Sequence, residues 1–352
     1  MDLILIQYLR GTAAMMVVYF HIADKWKSIG NFPISLLASV GEAGVDIFFV
    51  ISGLIMWITT STTSTNSIEF MKKRIIRVVP IYWLLTLGVT LVAIIKPEIL
   101  STTRFDLAHV LSSFLFIPWP HPNFSKYAPV IIPGWTLNYE MAFYLLFSIC
   151  LLLPLWKRLF SVTVTLILIA LVGYWFKPSG QLGYYTDSIV LEFALGIGIG
   201  VVYKSGFKPP FLISIGIALL GVVIFMAGCQ ADLPRIVKWG VPASLVVMGF
   251  VLYEKCYTAP VIPLFRLLGD ASYSIYLTNL FVITALSKVL ILASDKIITP
   301  NTYGSLVGIW GGLFSLLTIF AVTLVGISFY RLVEQPILRL FRKNGTVHAI
   351  KV

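Results

Sequence analysis

Charge is scarce in this 352-residue chain: only 12% of its residues are Asp, Glu, Lys or Arg. A soluble domain carries about a quarter, so this sequence cannot build a water-facing surface of ordinary composition. Cysteine is scarcer. Cys150, Cys229 and Cys256 are odd in number and form no CxxC pair, which reads as inert thiols rather than a disulfide framework or metal ligands. No phosphate-binding glycine loop, GxSxG elbow or HExxH motif occurs. His109, His121 and His348 stand at no ligand spacing, so no metal is expected. What the chain does hold is apolar: 58% of residues are hydrophobic and the mean hydropathy is +0.93. The apolar residues come in long continuous runs, which excludes the alternation of a membrane β-barrel. Disorder, a collagen repeat and a small disulfide scaffold are excluded as well. The fold expected is all-α, a polytopic transmembrane bundle.

Apolar runs lie near 4–23, 42–60, 77–95, 135–153, 159–176, 187–203, 211–229, 239–253, 271–293 and 305–333. Read as spans, these runs give about ten. The run 107–118 is shorter and ends in Pro118, Pro120 and Pro122, which suits a short re-entrant or interfacial helix. Lysine and arginine arbitrate. With 107–118 not crossing, 14 of them fall in inside loops and 10 outside. The opposite choice reverses the excess, against the positive-inside rule. Both termini are then cytoplasmic, and 96–134 is an outward segment. The first run lacks the positive flank of a cleaved signal and reads as a retained span. Residues 1–338 form the membrane domain, and 339–352 a basic cytoplasmic tail. The net charge of +11 fits anchoring at the inner face, with a lipid bilayer as partner and no nucleic acid.

Ionisable groups inside a bilayer are expensive and each needs a reason. Arg10 and His21 are eleven residues apart in the first run, so they share a helix face about 16 Å apart along the axis. They are either a snorkelling arginine and an interhelical hydrogen bond, or a site. Asp46, near the start of the second run, is either a water-exposed helix-start aspartate or a partner that fixes the tautomer of His21. Lys72, Lys73, Arg74 and Arg77 crowd into six residues. They read as anchoring or as a polyanion site, since arginine makes bidentate contacts with phosphate. Glu140 is either functional or the partner of an intramembrane arginine such as Arg10. Glu192 has the same ambiguity. Ser272, Tyr276 and Asn279 share one face of the ninth run.

Taken in order, these features resemble a known family. Tyr8-Leu9-Arg10-Gly11 with His21 comes first, then Val45-Asp46-Ile47-Phe48-Phe49-Val50-Ile51-Ser52-Gly53, then Arg74-Ile75-Ile76-Arg77 with Pro80 and Tyr82-Trp83. Trp135-Thr136-Leu137-x-x-Glu140, Ser272-Tyr273-Ser274-Ile275-Tyr276-Leu277 and Glu334-x-Pro336 follow. Together they are similar to the membrane-bound acyltransferase family 3, and within it to the exopolysaccharide O-acetyltransferases. The resemblance implies a ten-span enzyme of the bacterial inner membrane. Such an enzyme moves an acyl group, usually acetyl, from cytoplasmic acyl-CoA to a hydroxyl of a surface glycan or lipid-linked saccharide. The family's functional positions fall on Arg10, His21, Arg74, Arg77 and Glu140. Asn279 stands where many relatives carry a histidine.

The residues fit that chemistry. Lys72 to Arg77 would meet the phosphates of CoA. Its pantetheine arm, on the order of 15–20 Å, matches the three helical turns between a cytoplasmic mouth and His21. His21 would act as general base or as a transiently acylated nucleophile, and Arg10 would steady the oxyanion. Outside, Trp119, Tyr127 and Trp135 would stack on sugar rings. The competing reading is a secondary transporter or flippase for an anionic glycan precursor, with Arg10, Glu140 and Glu192 along its pathway.

Overall fold

The structure is a computed structural model that describes residues 3–30, 36–61, 65–100, 103–123, 126–229, 231–297 and 303–343. Among them no strand occurs, only an isolated bridge between Pro120 and Tyr127. Helices account for nearly everything else. They are α1 (Ile4–Gly30), α2 (Leu36–Gly41), α3 (Gly44–Thr60), α4 (Ser67–Ile95), α5 (Leu107–Phe114), α6 (Trp135–Cys150), α7 (Leu155–Phe176), α8 (Gly180–Tyr185), α9 (Leu191–Lys204), α10 (Phe211–Gly228), α11 (Val241–Cys256), α12 (Pro263–Asp270), α13 (Ser272–Ile297), α14 (Tyr303–Phe329) and α15 (Gln335–Lys343).

Seven helical stretches among the described residues are long and apolar enough to cross a membrane: Ala38–Thr60, Ser67–Ile95, Leu155–Phe176, Gly180–Lys204, Phe211–Gly228, Ile236–Cys256 and Gly312–Phe341. The chain is a multi-pass membrane protein. The remaining expected runs, in α1, α6 and α13, are helical too. The last nine residues of the expected tail lie outside the described residues; the part before them is α15, which packs on α4. α1 runs seven residues past the expected end of its apolar run, because Asp24, Lys25 and Lys27 are compatible with helix once it leaves the apolar layer.

α5 has eight residues, a length of about 12 Å, too short to cross. Asp106 caps it by accepting from the His109 N–H at 2.7 Å. Leu107, Leu111 and Leu115 form an exposed apolar stripe, while His109, Ser112 and Ser113 are buried. The Trp83 indole donates to the Phe114 carbonyl at 2.9 Å, so this short helix ends beside the middle of α4.

The chain divides into two compact units. The first comprises Met1–Phe48, Pro209–Asp232 and Leu245–Glu334. Its α1 begins on the Glu254 carboxylate, which accepts from the Ile4 and Leu5 N–H groups at 2.5 and 2.9 Å. A carboxylate at a helix start answers both the unpaired N–H groups and the dipole. A side chain on Gly269 would strike the Gln7 carbonyl at 2.1 Å. The glycine therefore lets α12 lie directly on α1. Beyond that crossing, Ala14, Val18 and Ile22 of α1 pack with Ala271, Ile275 and Ile283 and with Val322 of α14.

The second unit comprises Phe49–Lys208, Leu233–Ser244 and Gln335–Val352. α3 meets α9 backbone to backbone, since a Cβ on Gly53 would lie 2.1 Å from the Phe193 carbonyl. The buried Arg158 guanidinium donates to the carbonyls of Thr60 at 3.0 Å and of Leu151 and Leu153 at 3.4 Å. One cation thus satisfies carbonyls at the ends of two helices. α6 carries Trp135, Tyr139, Phe143 and Phe147 at four-residue spacing, one stripe on a helix. That stripe anchors a chain of touching rings. Tyr184 stacks on Tyr139 at 4.4 Å, followed by Phe49, Phe193, Phe143, Phe147 and Phe70 at centroid separations of 4.1 to 6.1 Å.

Candidate active site

The expected site residues fall into both units. Arg10, His21 and Asp46 belong to the first; Lys72, Lys73, Arg74, Arg77 and Glu140 belong to the second.

Arg10 is 9% exposed. Its guanidinium donates to the Gln7 side-chain oxygen and to the Ser272 hydroxyl, both at 3.2 Å. Gln7 is one turn away on α1, while Ser272 is 262 residues distant and opens α13. The close crossing at Gly269 brings that junction within reach of Arg10. Both of these ligands are neutral, and together they orient the guanidinium. His21 lies three turns further along the same helix, beside Phe20 at 5.4 Å between ring centroids. The acidic group whose field acts on it is Asp24, on the next turn.

Asp46 is fully buried in the first turn of α3, which rules out the water-exposed reading. Phe48, two residues on, meets Tyr276 of α13 edge to face at 6.0 Å. Asn279 is fully buried too, and its amide donates to the Tyr276 carbonyl at 2.7 Å. Ser274 donates to the buried Glu334 carboxylate at 2.5 Å. On the polar face expected on the ninth run, the Ser272 hydroxyl and the Asn279 N–H group thus make hydrogen bonds inside this unit, while the Asn279 Oδ1 accepts none.

In the second unit the four cations of the basic stretch separate. Lys72 is exposed and Arg77 half-buried. Lys73 pairs with Glu69 at 2.5 Å, one helical turn back. Arg74 is 5% exposed, its guanidinium 5.5 Å above the Phe70 ring and 5.8 Å above Tyr144. Tyr144 donates a hydrogen bond to Glu140. The intramembrane arginine beside Glu140 is thus Arg74 on α4. Water therefore reaches Lys72 and, in part, Arg77, whereas Arg74 faces the protein interior. Glu192 is fully buried and packs against Gly240, where a Cβ would come within 3.0 Å of its side chain.

Several polar residues near these groups are not singled out by spacing alone. Ser272 was visible only as part of a polar face, and Gln7 as nothing more than a helix residue. His109 and His121, twelve residues apart, lie with ring centroids 5.0 Å apart. The His109 Nε2 sits 2.8 Å from the Ala128 carbonyl. Burial first, and His109 second, push the pKa of His121 down to about 4, so it stays neutral at ordinary pH. Among the described residues no group of three or more His, Cys, Asp or Glu side chains is placed to hold a metal ion.

Arg74 and Arg77 should therefore respond differently to removal. Arg74→Ala leaves Glu140 and Tyr144 without their cation, and should cost at least ~1–3 kcal/mol of stability. Arg77→Ala should stay within ~0.5 kcal/mol of wild type. Thermal unfolding in detergent gives both values, and equal losses would contradict this division.

Comparison with known proteins agrees with the motif order. A family model described as an acyltransferase domain matches residues 3–331. The exopolysaccharide production protein ExoZ of Rhizobium meliloti is 34% identical over 311 residues, covering 86% of this chain and 90% of that protein. The peptidoglycan O-acetyltransferase OatA of Listeria monocytogenes is 25% identical, covering 97% of this chain and 56% of that protein. The O-acetyltransferase OatA of Staphylococcus aureus is 25% identical over 76% of this chain, which spans 48% of it. No solved structure matches. With the match running through nearly the whole chain, the protein belongs to this family of membrane acyltransferases and is an acyltransferase.

Proposed function

We propose that this enzyme moves an acyl group, acetyl in the simplest case, from cytoplasmic acyl-CoA to a hydroxyl of a surface or exopolysaccharide sugar. The similarity to an exopolysaccharide production protein and to a peptidoglycan O-acetyltransferase supports a glycan acceptor and O-linked transfer. The observation that carries the reading is Arg10: a buried cation oriented by Gln7 and Ser272, on the helix that also bears His21. A buried guanidinium held in a fixed orientation is suited to a transient negative charge.

In this reading the His21 ring takes the proton of the sugar hydroxyl. The alkoxide oxygen attacks the thioester carbonyl, and Arg10 stabilises the oxyanion that forms. Collapse breaks the carbon–sulfur bond, and the CoA thiolate leaves and takes up the proton. Asp46 and Glu140 complete the catalytic set by fixing neighbouring groups. Lys72 and Arg77 receive the CoA phosphates, while Lys73 and Arg74 shape that surface. The chain sits in a bacterial inner membrane with ten spans and a non-crossing α5. Both termini are cytoplasmic, with 1–338 as the membrane domain and 339–352 as a basic tail.

Three measurements test these points. Cysteine placed at Lys126 should react with an impermeant reagent only from outside; labelling only from the cytoplasm would overturn the topology. Arg77→Ala should weaken acetyl-CoA binding by a few kcal/mol at most, and wild-type binding should fall as salt rises. Unchanged affinity would return the basic stretch to anchoring. His21→Ala should keep its fold and donor binding but lose about two to four orders of magnitude in transfer. Transfer should also fall in acid, because a protonated ring cannot accept the hydroxyl proton. Near-wild-type turnover per folded molecule would remove His21 from the chemistry and favour transport of a glycan precursor.

A further inference from the structure

At one end of α6 the second unit gathers aromatic rings from three separate segments. Tyr139 donates to the Tyr184 carbonyl and Tyr184 to the Trp135 carbonyl, both at 2.6 Å. The Tyr139 and Tyr184 rings lie nearly parallel, 17° apart in plane. Tyr127 adds a ring 6.1 Å from Tyr184. The Arg235 guanidinium lies 5.8 Å above the Trp135 ring. Trp135, Tyr127, Tyr184 and Arg235 are half-buried.

A second observation comes from α6 itself. Trp135, Asn138 and Tyr139 share one helix face. Asn138 is 2% exposed, and its Oδ1 accepts no hydrogen bond. An amide oxygen carried without a partner costs free energy unless something else uses it.

Two explanations compete. Tyrosine and tryptophan gather at membrane interfaces, where each ring lies against lipid with its polar tip in water. Here the tips of Tyr139 and Tyr184 bond backbone carbonyls of neighbouring segments instead, and their rings stack on each other. The result is a fixed cluster of rings, with Tyr184 stacked on Tyr139, Trp135 edge-on to Tyr139, Tyr127 tilted against Tyr184 and the Arg235 guanidinium over Trp135. Flat apolar planes with a few directed polar groups are how a pocket recognises a ligand with apolar faces and a polar rim. A pyranose has that form: its C–H faces lie on rings, and its hydroxyls donate to an amide oxygen and accept from a guanidinium.

We propose that this platform, built from Trp135, Asn138, Tyr139, Tyr184, Tyr127 and Arg235, holds a pyranose residue of the acceptor chain. The proposal rests on the acyl-transfer reading for its outward placement and goes beyond it by adding Asn138, Tyr139, Tyr184 and Arg235 to the rings of Tyr127 and Trp135 expected from the sequence.

The test uses the full chain purified in detergent, titrated with two probes, a β-1,4-linked glucose tetramer and a β-1,4-linked galacturonate tetramer. Calorimetry and tryptophan fluorescence report binding, and acetyl-CoA binding is measured on the same samples. Wild type should bind at least one tetramer saturably. Trp135→Ala and Arg235→Ala should each weaken that binding tenfold or more, with acetyl-CoA affinity unchanged. Should Trp135→Ala fail to fold, Tyr127→Ala removes one ring without touching α6 and carries the same comparison. A folded wild type that binds acetyl-CoA but neither tetramer would overturn the platform, as would undiminished binding in Tyr127→Ala and Arg235→Ala. Tetramer binding that depends on these residues, in a protein that binds no acetyl-CoA, would keep the platform and remove the donor reading.

Discussion

Arg10, Arg74 and Arg158 are all buried in a protein whose surroundings are hydrocarbon. Lipid tails cannot hydrate a guanidinium, so each one has to be solvated by the protein. The fold supplies three different solvents. Arg10 has a carboxamide and a hydroxyl; Arg74 has two ring faces with a carboxylate nearby; Arg158 has three backbone carbonyls. The differences sort the roles. Carbonyls at helix ends use up a cation in structure, and rings beside a carboxylate hold one in place. A carboxamide and a hydroxyl fix the direction of the Arg10 guanidinium.

That constraint explains the glycine at 269. A hydroxyl can reach Arg10 only if the α12–α13 junction comes within a hydrogen bond of α1, and a Cβ at this crossing would collide with the Gln7 backbone. Once the helices meet there, the Ala14, Val18 and Ile22 face of α1 closes on Ala271 and Ile275. The same logic places Glu254 under the start of α1. There a carboxylate is solvated by two N–H groups that would otherwise face the apolar layer unpaired.

Much of this was legible in the sequence, and the boundary of legibility has physical causes. Long apolar runs become helices because no other structure pairs the backbone within a bilayer, so the helical architecture followed from hydropathy. The 107–118 run read correctly as too short to cross. Arg10 and His21 stood out because ionisable groups are rare in such runs. Their partners did not. The Ser272 bond to Arg10 joins positions 262 apart, and only tertiary packing brings them together. Spacing put Arg74 and Arg77 side by side, yet burial separates them, since the rings of Phe70 and Tyr144 close over one and not the other. The aromatic stripe of α6 was present at four-residue intervals, but a phenylalanine in an apolar run carries no signal until its neighbours are known.

The chain of rings from Tyr184 to Phe70 has an electrical meaning. Beyond the two tyrosine hydroxyls at one end, both bonded to backbone carbonyls, the phenylalanine rings of that chain offer protons no polar side-chain atom on which to hop. A membrane that stores a voltage tolerates only proteins with a high internal resistance. In this unit, tightly fitted aromatic side chains act as the dielectric of a capacitor. Acyl transfer on such a scaffold would proceed without dissipating the ion gradient of the cell that hosts it.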